Sequence, residues 1–324
     1  MAAGCVMKSI LIRLMSAVIL LGGLCSAPRA AETKPQIWLA PLDKQLTSNG
    51  IGSADYAQLF DEGDSWRGVL ANISVFKIYP YFLSRASEDE LRKIIQFLNR
   101  HHIALALEAR VLDRHAGCGD DGGEATLDLI GKVKRAGGSL FYLAMDEPLH
   151  HWRQRKKCSI TIDQFARDVE AKIVEIKRIF PNVSIGDVEP IGQWPSATAL
   201  MRDTTDWLDA FKRAHGQNLA FIHADVGWDT SWLGITLSLR KEAAARGIRF
   251  GIIYNGDDLA KSDSEWSSEA VSHFKAFEDH AGRPDDVVFQ SWVSHPSRSL
   301  PETADDALTG IARQYLKYKS IDPK

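Results

Sequence analysis

The chain has 324 residues, 45% of them apolar, 25% charged and 9% aromatic, with a formal net charge of −3. These proportions exclude a disordered or collagen-like chain and a polybasic nucleic-acid arm. Four cysteines are too few for a disulfide scaffold, while nine tryptophans stand out as flat amphipathic rings suited to stacking on a ligand.

Residues 1–30 read as a secretory leader. Lys8 and Arg13 make a basic start, residues 14–24 (LMSAVILLGGL) an apolar run, and small residues follow at Ser26, Ala27, Ala30 and Ala31. The run is too short for a membrane span of about 20 residues, and no later segment does better. A lipid anchor at Cys25 is disfavoured by Leu24, which stands where such signals want a small residue. Cleavage is expected near Ala30, and the product is expected to be secreted or periplasmic. With Lys8, Arg13 and Arg29 gone, 36 basic residues face 42 acidic ones, a net −6 that suits neither nucleic acid nor an anionic membrane. Cys118 and Cys158 then remain, and an oxidising compartment favours one disulfide between them.

Apolar runs bounded by turn residues predict eight strands, at 36–40 (QIWLA), 73–79 (ISVFKIY), 103–109 (IALALEA), 140–145 (LFYLAM), 183–188 (VSIGDV), 219–224 (LAFIHA), 249–254 (RFGIIY) and 287–292 (VVFQSW). Most lack polar alternation, as parallel strands buried on both faces should. Helical periodicity lies between them. Residues 87–100 open with the capping box Ser87/Glu90, and 161–180 open with Thr161/Gln164 and stop at Pro181. Further helices fit 54–61, 125–135, 196–214, 231–246, 264–280 and 303–318. Eight successive βα units predict an α/β fold, a single (β/α)8 barrel over residues 31–324. An open doubly wound sheet would carry a glycine-rich phosphate turn after its first strand, where this chain has Leu39-Ala40-Pro41-Leu42-Asp43.

A barrel of this kind works at the C-terminal ends of its strands. The polar residues there are Asp43, then Lys77 and Tyr79, Glu108 and Arg110, and Asp146 with Glu147. Asp187 and Glu189, His223 and Asp225, Tyr254 with Asn255 and Asp257, and Gln290 with Trp292 complete the series. Glu147 is the sharpest, because Pro148 ends the strand and biases the preceding backbone towards extended. A carboxyl ringed by apolar strand residues suits a general acid. Glu189, one strand on, and Asp225, two strands on, are the candidate partners; adjacent strands lie about 4.8 Å apart, within reach of paired-carboxylate spacings. Asp146 should face away from Glu147 and orient a neighbour. Glu108 and Arg110 share a face, as a substrate-binding pair or a structural ion pair. Tyr79, Tyr81, Trp152, Trp194, Trp228, Trp266 and Trp292 fall on the strand-end side and are candidates for sugar stacking, whereas Trp38, Trp66 and Trp207 read as packing. The basic run 153–157 reads as a solvated loop, with an anionic saccharide as the alternative.

An exported barrel whose fourth strand closes Asp146-Glu147-Pro148 resembles the glycoside hydrolases of the large retaining barrel clan, whose acid/base lies in an Asn-Glu-Pro motif there. The segments Met145–Pro148 and Leu300–Thr303 also resemble those of exported bacterial barrel proteins, a likeness that implies no activity. Two departures stand out: Asp146 replaces the clan's Asn, and the seventh strand ends Ile253-Tyr254-Asn255-Gly256 where the clan has its nucleophilic glutamate. The leading expectation is a glycosidase acting on a carbohydrate substrate without cofactor or metal. Glu147 would protonate the leaving oxygen, Glu189 or Asp225 would act as nucleophile or base, and Lys77, Tyr79, His223, Tyr254, Asn255 and Gln290 would join the aromatic rings around the sugar. The alternatives are a metal-dependent isomerase or hydrolase using Glu147, Glu189, His223 and Asp225, and a barrel that binds saccharide without cleaving it.

Overall fold

A computed structural model describes residues 34–61, 63–112, 124–155, 159–192, 196–228 and 231–320. The leader at 1–30, Cys118, Cys158 and Trp194 lie outside the described residues. Eight strands, β1 (Gln36–Ala40), β2 (Ile73–Ile78), β3 (Ala104–Ala109), β4 (Tyr142–Asp146), β5 (Ser184–Pro190), β6 (Phe221–Asp225), β7 (Arg249–Tyr254) and β8 (Asp286–Gln290), pair in parallel in chain order and close when β1 meets β8. Around them run α1 (Arg67–Leu70), α2 (Pro80–Arg85), α3 (Glu88–Arg100), α4 (Glu124–Arg135), α5 (Pro148–Arg155), α6 (Ile162–Ile179), α7 (Ala197–His215), α8 (Trp232–Ala245), α9 (Asp263–Ala281) and α10 (Leu308–Ser320). The chain is therefore a (β/α)8 barrel. No helix among the described residues is long and apolar enough to cross a membrane.

The unalternating strands have a simple cause, for each separates two cores. Outward residues such as Ile37, Leu39, Phe76, Leu107, Leu143 and Phe289 pack beneath the helices, while Trp38, Val75, Ala106, Ala144, Val188, Phe221, Ile253 and Val288 fill the barrel. Large rings fit inside only because neighbouring strands contribute no side chain. A Cβ on Gly186 would lie 2.3 Å from the Phe221 ring, and one on Gly251 2.4 Å from His223. Trp38, Trp66 and Trp207 are buried, as expected of packing residues.

Local signals set the main helix boundaries. The Ser87 hydroxyl accepts from the Glu90 N–H at 3.2 Å while the Glu90 carboxylate accepts from the Ser87 N–H at 2.6 Å, and α3 starts there. Thr161 accepts from the Gln164 N–H at 3.2 Å to start α6. The predicted helix at 54–61 is a 3-10 turn, Tyr56–Phe60, and the one predicted from 303 begins at Leu308. The intervening segment is used differently: the Glu302 carboxylate accepts from the Val69 N–H at 2.7 Å, and Asp55 accepts from the Ser299 and Leu300 N–H groups at 2.7 and 2.9 Å. The Leu300–Thr303 motif thus fastens the segment after β8 to the segment between β1 and β2. Short α5, directly after Glu147, has no counterpart in the sequence reading, and it decides the fate of Glu189.

Candidate active site

Alternation along each strand sorts the candidate residues into two groups. Lys77, Glu108, Asp146, His223, Asp225 and Gln290 stand on the inward face, in phase with the barrel-filling residues. Asp187, Glu189 and Tyr254 stand on the outward face. Asp187 accepts from the Trp207 indole N–H at 2.8 Å. Glu189, 2% exposed, accepts from the N–H groups of Leu149 and His150 at 2.6 and 3.3 Å, at the first turn of α5. Burial, reinforced by the Asp187 charge, pushes the Glu189 carboxyl up against the pull of these N–H donors. Glu189 is therefore a helix-capping group away from the strand-end cavity, and its candidacy as catalytic partner is withdrawn.

The C-terminal face opens into a cavity with two lobes. One, of about 670 Å3, is bordered by Tyr79, Tyr81, Glu108, Arg110, Asp146 and Glu147; the other, of about 600 Å3, by Trp228, Asn255, Asp257, Glu269 and His273. Asp225, Asp258 and Trp292 border both. Glu147 reaches this rim through an unusual backbone. Its φ is +51°, left-handed rather than the extended conformation expected before a proline. Its N–H donates to the Val188 carbonyl and its own carbonyl accepts from the His151 N–H, both at 2.9 Å. Such a conformation costs on the order of 1–3 kcal/mol in a non-glycine residue and clusters at functional sites. Here it accompanies a carboxyl that strand alternation alone would send outward.

Beneath the first lobe lies a buried ion pair. Lys77, with no exposure, donates to Glu108, and Gln290 Nε2 donates to the same carboxylate at 3.3 Å. Burial pushes Glu108 up to about 7, with the Lys77 ammonium pulling the other way. Lys77 and Gln290 therefore hold Glu108 from below; they do not border the cavity. Arg110 pairs with Asp146 at 3.1 Å on the wall. Asp225 is pushed up to about 7 by burial and then by the charges of Asp258 and Glu147, against the opposing pull of Lys77 and an Asn255 N–H. That amide is oriented from behind: Asn255 Oδ1 accepts from the Trp228 indole at 2.8 Å, which turns Nδ2 towards Asp225 at 3.3 Å. Trp228 stacks flat on His273, ring centroids 4.3 Å apart, and His273 Nδ1 bonds the Asn255 carbonyl at 2.7 Å. Asn255, at the end of β7, is here a support for Asp225.

Several expected ligand contacts fall elsewhere. His223 is fully buried below the cavity, edge-on to Trp38 with ring centroids 4.7 Å apart and 3.2 Å from Asp286. Tyr254 faces the helices and donates to Glu278 at 3.3 Å. Trp152 donates to the Ile160 carbonyl at 3.2 Å and is buried in the outer core, as is Trp266. Asp43 accepts from the Gln45 N–H within its own loop at 2.8 Å. Of the basic run, Arg153 is half-buried and pairs with Asp203 at 3.2 Å. The set Glu147, Glu189, His223 and Asp225 does not converge, and no cluster of three His, Cys, Asp or Glu among the described residues is arranged to hold a metal ion. Asp258, Glu269 and His273 complete the wall without having been singled out in the sequence. The Asn255-Gly256-Asp257-Asp258 turn hints at the first; nothing in the sequence says that α9 leans Glu269 and His273 over the rim.

The fold and the cavity define a (β/α)8 barrel with an acidic, aromatic-walled strand-end site. No protein-family model matches the chain, and no curated protein matches it. Among solved structures it is similar to the carboxyl transferase domain of Rhizobium etli pyruvate carboxylase, with TM-score 0.52 and 12% identity, over 88% of this chain and 46% of that one. It is also similar to a GH10 endoxylanase from a sugarcane soil metagenome, with TM-score 0.50 and 10% identity over 82% and 91% of the two chains. QR15, an aldolase, aligns at TM-score 0.44 with 12% identity over 89% and 96%. A carboxyl transferase and an endoxylanase on one scaffold, at 10–12% identity, mean that the likeness is of fold, and that the site must carry the functional argument.

Proposed function

We propose that the chain hydrolyses glycosidic bonds of a saccharide seated in the strand-end cavity, with Asp225 and Glu147 as its working carboxylates. The observation that carries this reading is that both groups border one open, aromatic-walled lobe while burial and neighbouring charges raise Asp225 to about 7. Asp225 can thus still hold a proton near neutral pH, as a general acid for glycoside cleavage requires. β4 and β6 flank β5, so the strands that bear them are about 9.6 Å apart, twice the usual spacing. Carboxyls reaching inward from there approach the separation of roughly 6.5–9.5 Å that leaves room for a water.

In this scheme Asp225 donates its proton to the glycosidic oxygen as the bond to the anomeric carbon breaks. Glu147 takes a proton from the water whose oxygen forms the new bond to that carbon on the opposite face. The environment of Asp225 exchanges the roles expected from the sequence, where Glu147 was the acid. Tyr81 and Trp292 offer ring faces to the sugar in one lobe, backed by the buried Tyr79, and Trp228 in the other. The enzyme is placed outside the cytoplasm by its leader, with Cys118 and Cys158 bridged.

The test is a polysaccharide panel digested by wild type, Glu147→Gln and Asp225→Asn, with reducing ends counted and product anomers read by NMR. Each variant should lose at least about a hundredfold in rate while still binding. Undiminished cleavage by either overturns the assignment, and a retained anomer overturns the water-mediated geometry.

A further inference from the structure

The cavity wall carries more negative charge than a two-carboxylate mechanism uses. Among the described residues bordering the lobes, Arg110 is the one guanidinium or ammonium, and it is committed to Asp146. Lys77, below the wall, is committed to Glu108. Asp225, Asp257, Asp258 and Glu269 have no ion-pair partner among the described residues, and their polar contacts are to the Asn255 amide or to backbone N–H groups. Like charges along one wall raise the free energy of the empty site, and Asp225 and Asp258 are both pushed up first by burial and then by acidic neighbours. The carboxylates are also spread out: Asp257 and Glu269 border one lobe, Asp225 and Asp258 both. A single metal ion wants donors gathered about one point, and no such gathering of three occurs among the described residues.

A second, independent feature points to a ligand of some length. Trp292 borders both lobes, yet its buried indole N–H has no hydrogen-bond partner among the described residues, whereas the buried Tyr79 hydroxyl bonds to Gln290. The two rings meet edge to face, centroids 6.0 Å apart, where the lobes join. Buried polar groups are normally satisfied, so the Trp292 N–H is poised for a group from outside the protein. With Trp228 further along, the cavity offers flat rings for pyranose faces, and such rings also attract ammonium groups.

Resting on the glycosidase reading, we infer that the substrate is a cationic saccharide, a chain of amino sugars with free ammonium groups that lie along the acidic wall while the rings stack on Tyr81, Trp292 and Trp228.

Binding of glucosamine, galactosamine, N-acetylglucosamine and xylose hexamers to Glu147→Gln tests this, since that variant leaves the oligomers intact. One amino-sugar hexamer should bind at least about tenfold tighter than both uncharged ones in low salt, and the advantage should shrink as ionic strength approaches about 1 M. In the Asp257→Asn/Asp258→Asn/Glu269→Gln variant the ratio of affinities for the amino-sugar and N-acetylated hexamers should fall to about one. Equal affinity for charged and uncharged hexamers, or a preference indifferent to salt or to those substitutions, overturns the inference. The two proposals fail separately. Glu147-dependent cleavage of a neutral polymer keeps the glycosidase and removes the cationic substrate; tight, salt-sensitive binding of an amino-sugar hexamer that wild type never cleaves does the reverse.

Discussion

The buried Lys77–Glu108 pair makes an unusual demand on stability. Glu108 is 3% exposed, and burial takes its carboxyl from an ordinary 4.5 to about 7 even with Lys77 beside it. Between those values the native state holds a proton that the unfolded chain has released, so native Glu108 stabilises the fold fully below pH 4.5, and that contribution is lost as pH rises through about 7. At about 1.4 kcal/mol per pH unit, the gap amounts to about 3 kcal/mol. Removing Glu108 alone would strand an ammonium in the barrel at a cost of about 3–5 kcal/mol. The informative variant is therefore Lys77→Met/Glu108→Gln, which removes both charges and nearly preserves shape. In urea unfolding at pH 5 and pH 8, wild type should lose about 3 kcal/mol more than the double variant across that interval. The Asp187 slope is common to both proteins and cancels, while Asp225, freed of the Lys77 charge in the double variant, is pushed further up there and trims the difference. Equal pH dependence in the two proteins would refute the reasoning, because it would mean that Glu108 ionises at its ordinary value despite its burial.

Asn255→Ala removes an N–H that holds the Asp225 carboxyl down, so the basic limb of a pH–rate profile should move to higher pH; an unmoved limb dissociates Asn255 from Asp225. Glu189→Gln should weaken α5 and lower stability by about 0.5–2 kcal/mol with little change in the chemical step, whereas a hundredfold loss of kcat at intact stability would restore Glu189 to the catalytic pair. Trp207→Phe strips the buried Asp187 of its indole donor and should cost about 1–3 kcal/mol, read by denaturant unfolding. Amino-terminal sequencing of the exported protein should begin near Ala31, and thiol counting should find Cys118 and Cys158 unreactive until reduced.

Much of the architecture was legible in the chain because it follows from short-range chemistry. The uninterrupted apolar runs required strands buried on both faces, and the Ser87 and Thr161 caps marked helix starts. The ring of strand-end residues was legible for the same reason. What could not be read was which face each residue takes once a strand ends. Glu189 looked like a repeat of Glu147, since both precede a proline. Yet one lies within its strand on the outward face, and the other lies just past its strand with φ reversed, so they finish on opposite sides of the barrel wall.

By itself the sequence determined the eightfold βα alternation, a barrel of parallel strands, and a rim rich in carboxylates and aromatic rings. These depend on periodicity and residue type along a few consecutive positions. Only the tertiary structure decided that Asp225, rather than Glu189, shares a cavity with Glu147. It also turned Asn255 into a support for Asp225, and it brought Asp258, Glu269 and His273 to the same wall. Those outcomes depend on helices docking from distant parts of the chain. α5 takes the Glu189 carboxylate as its cap, and α9 leans its side chains over β7, so burial and charge at the site are set by neighbours that no local pattern records.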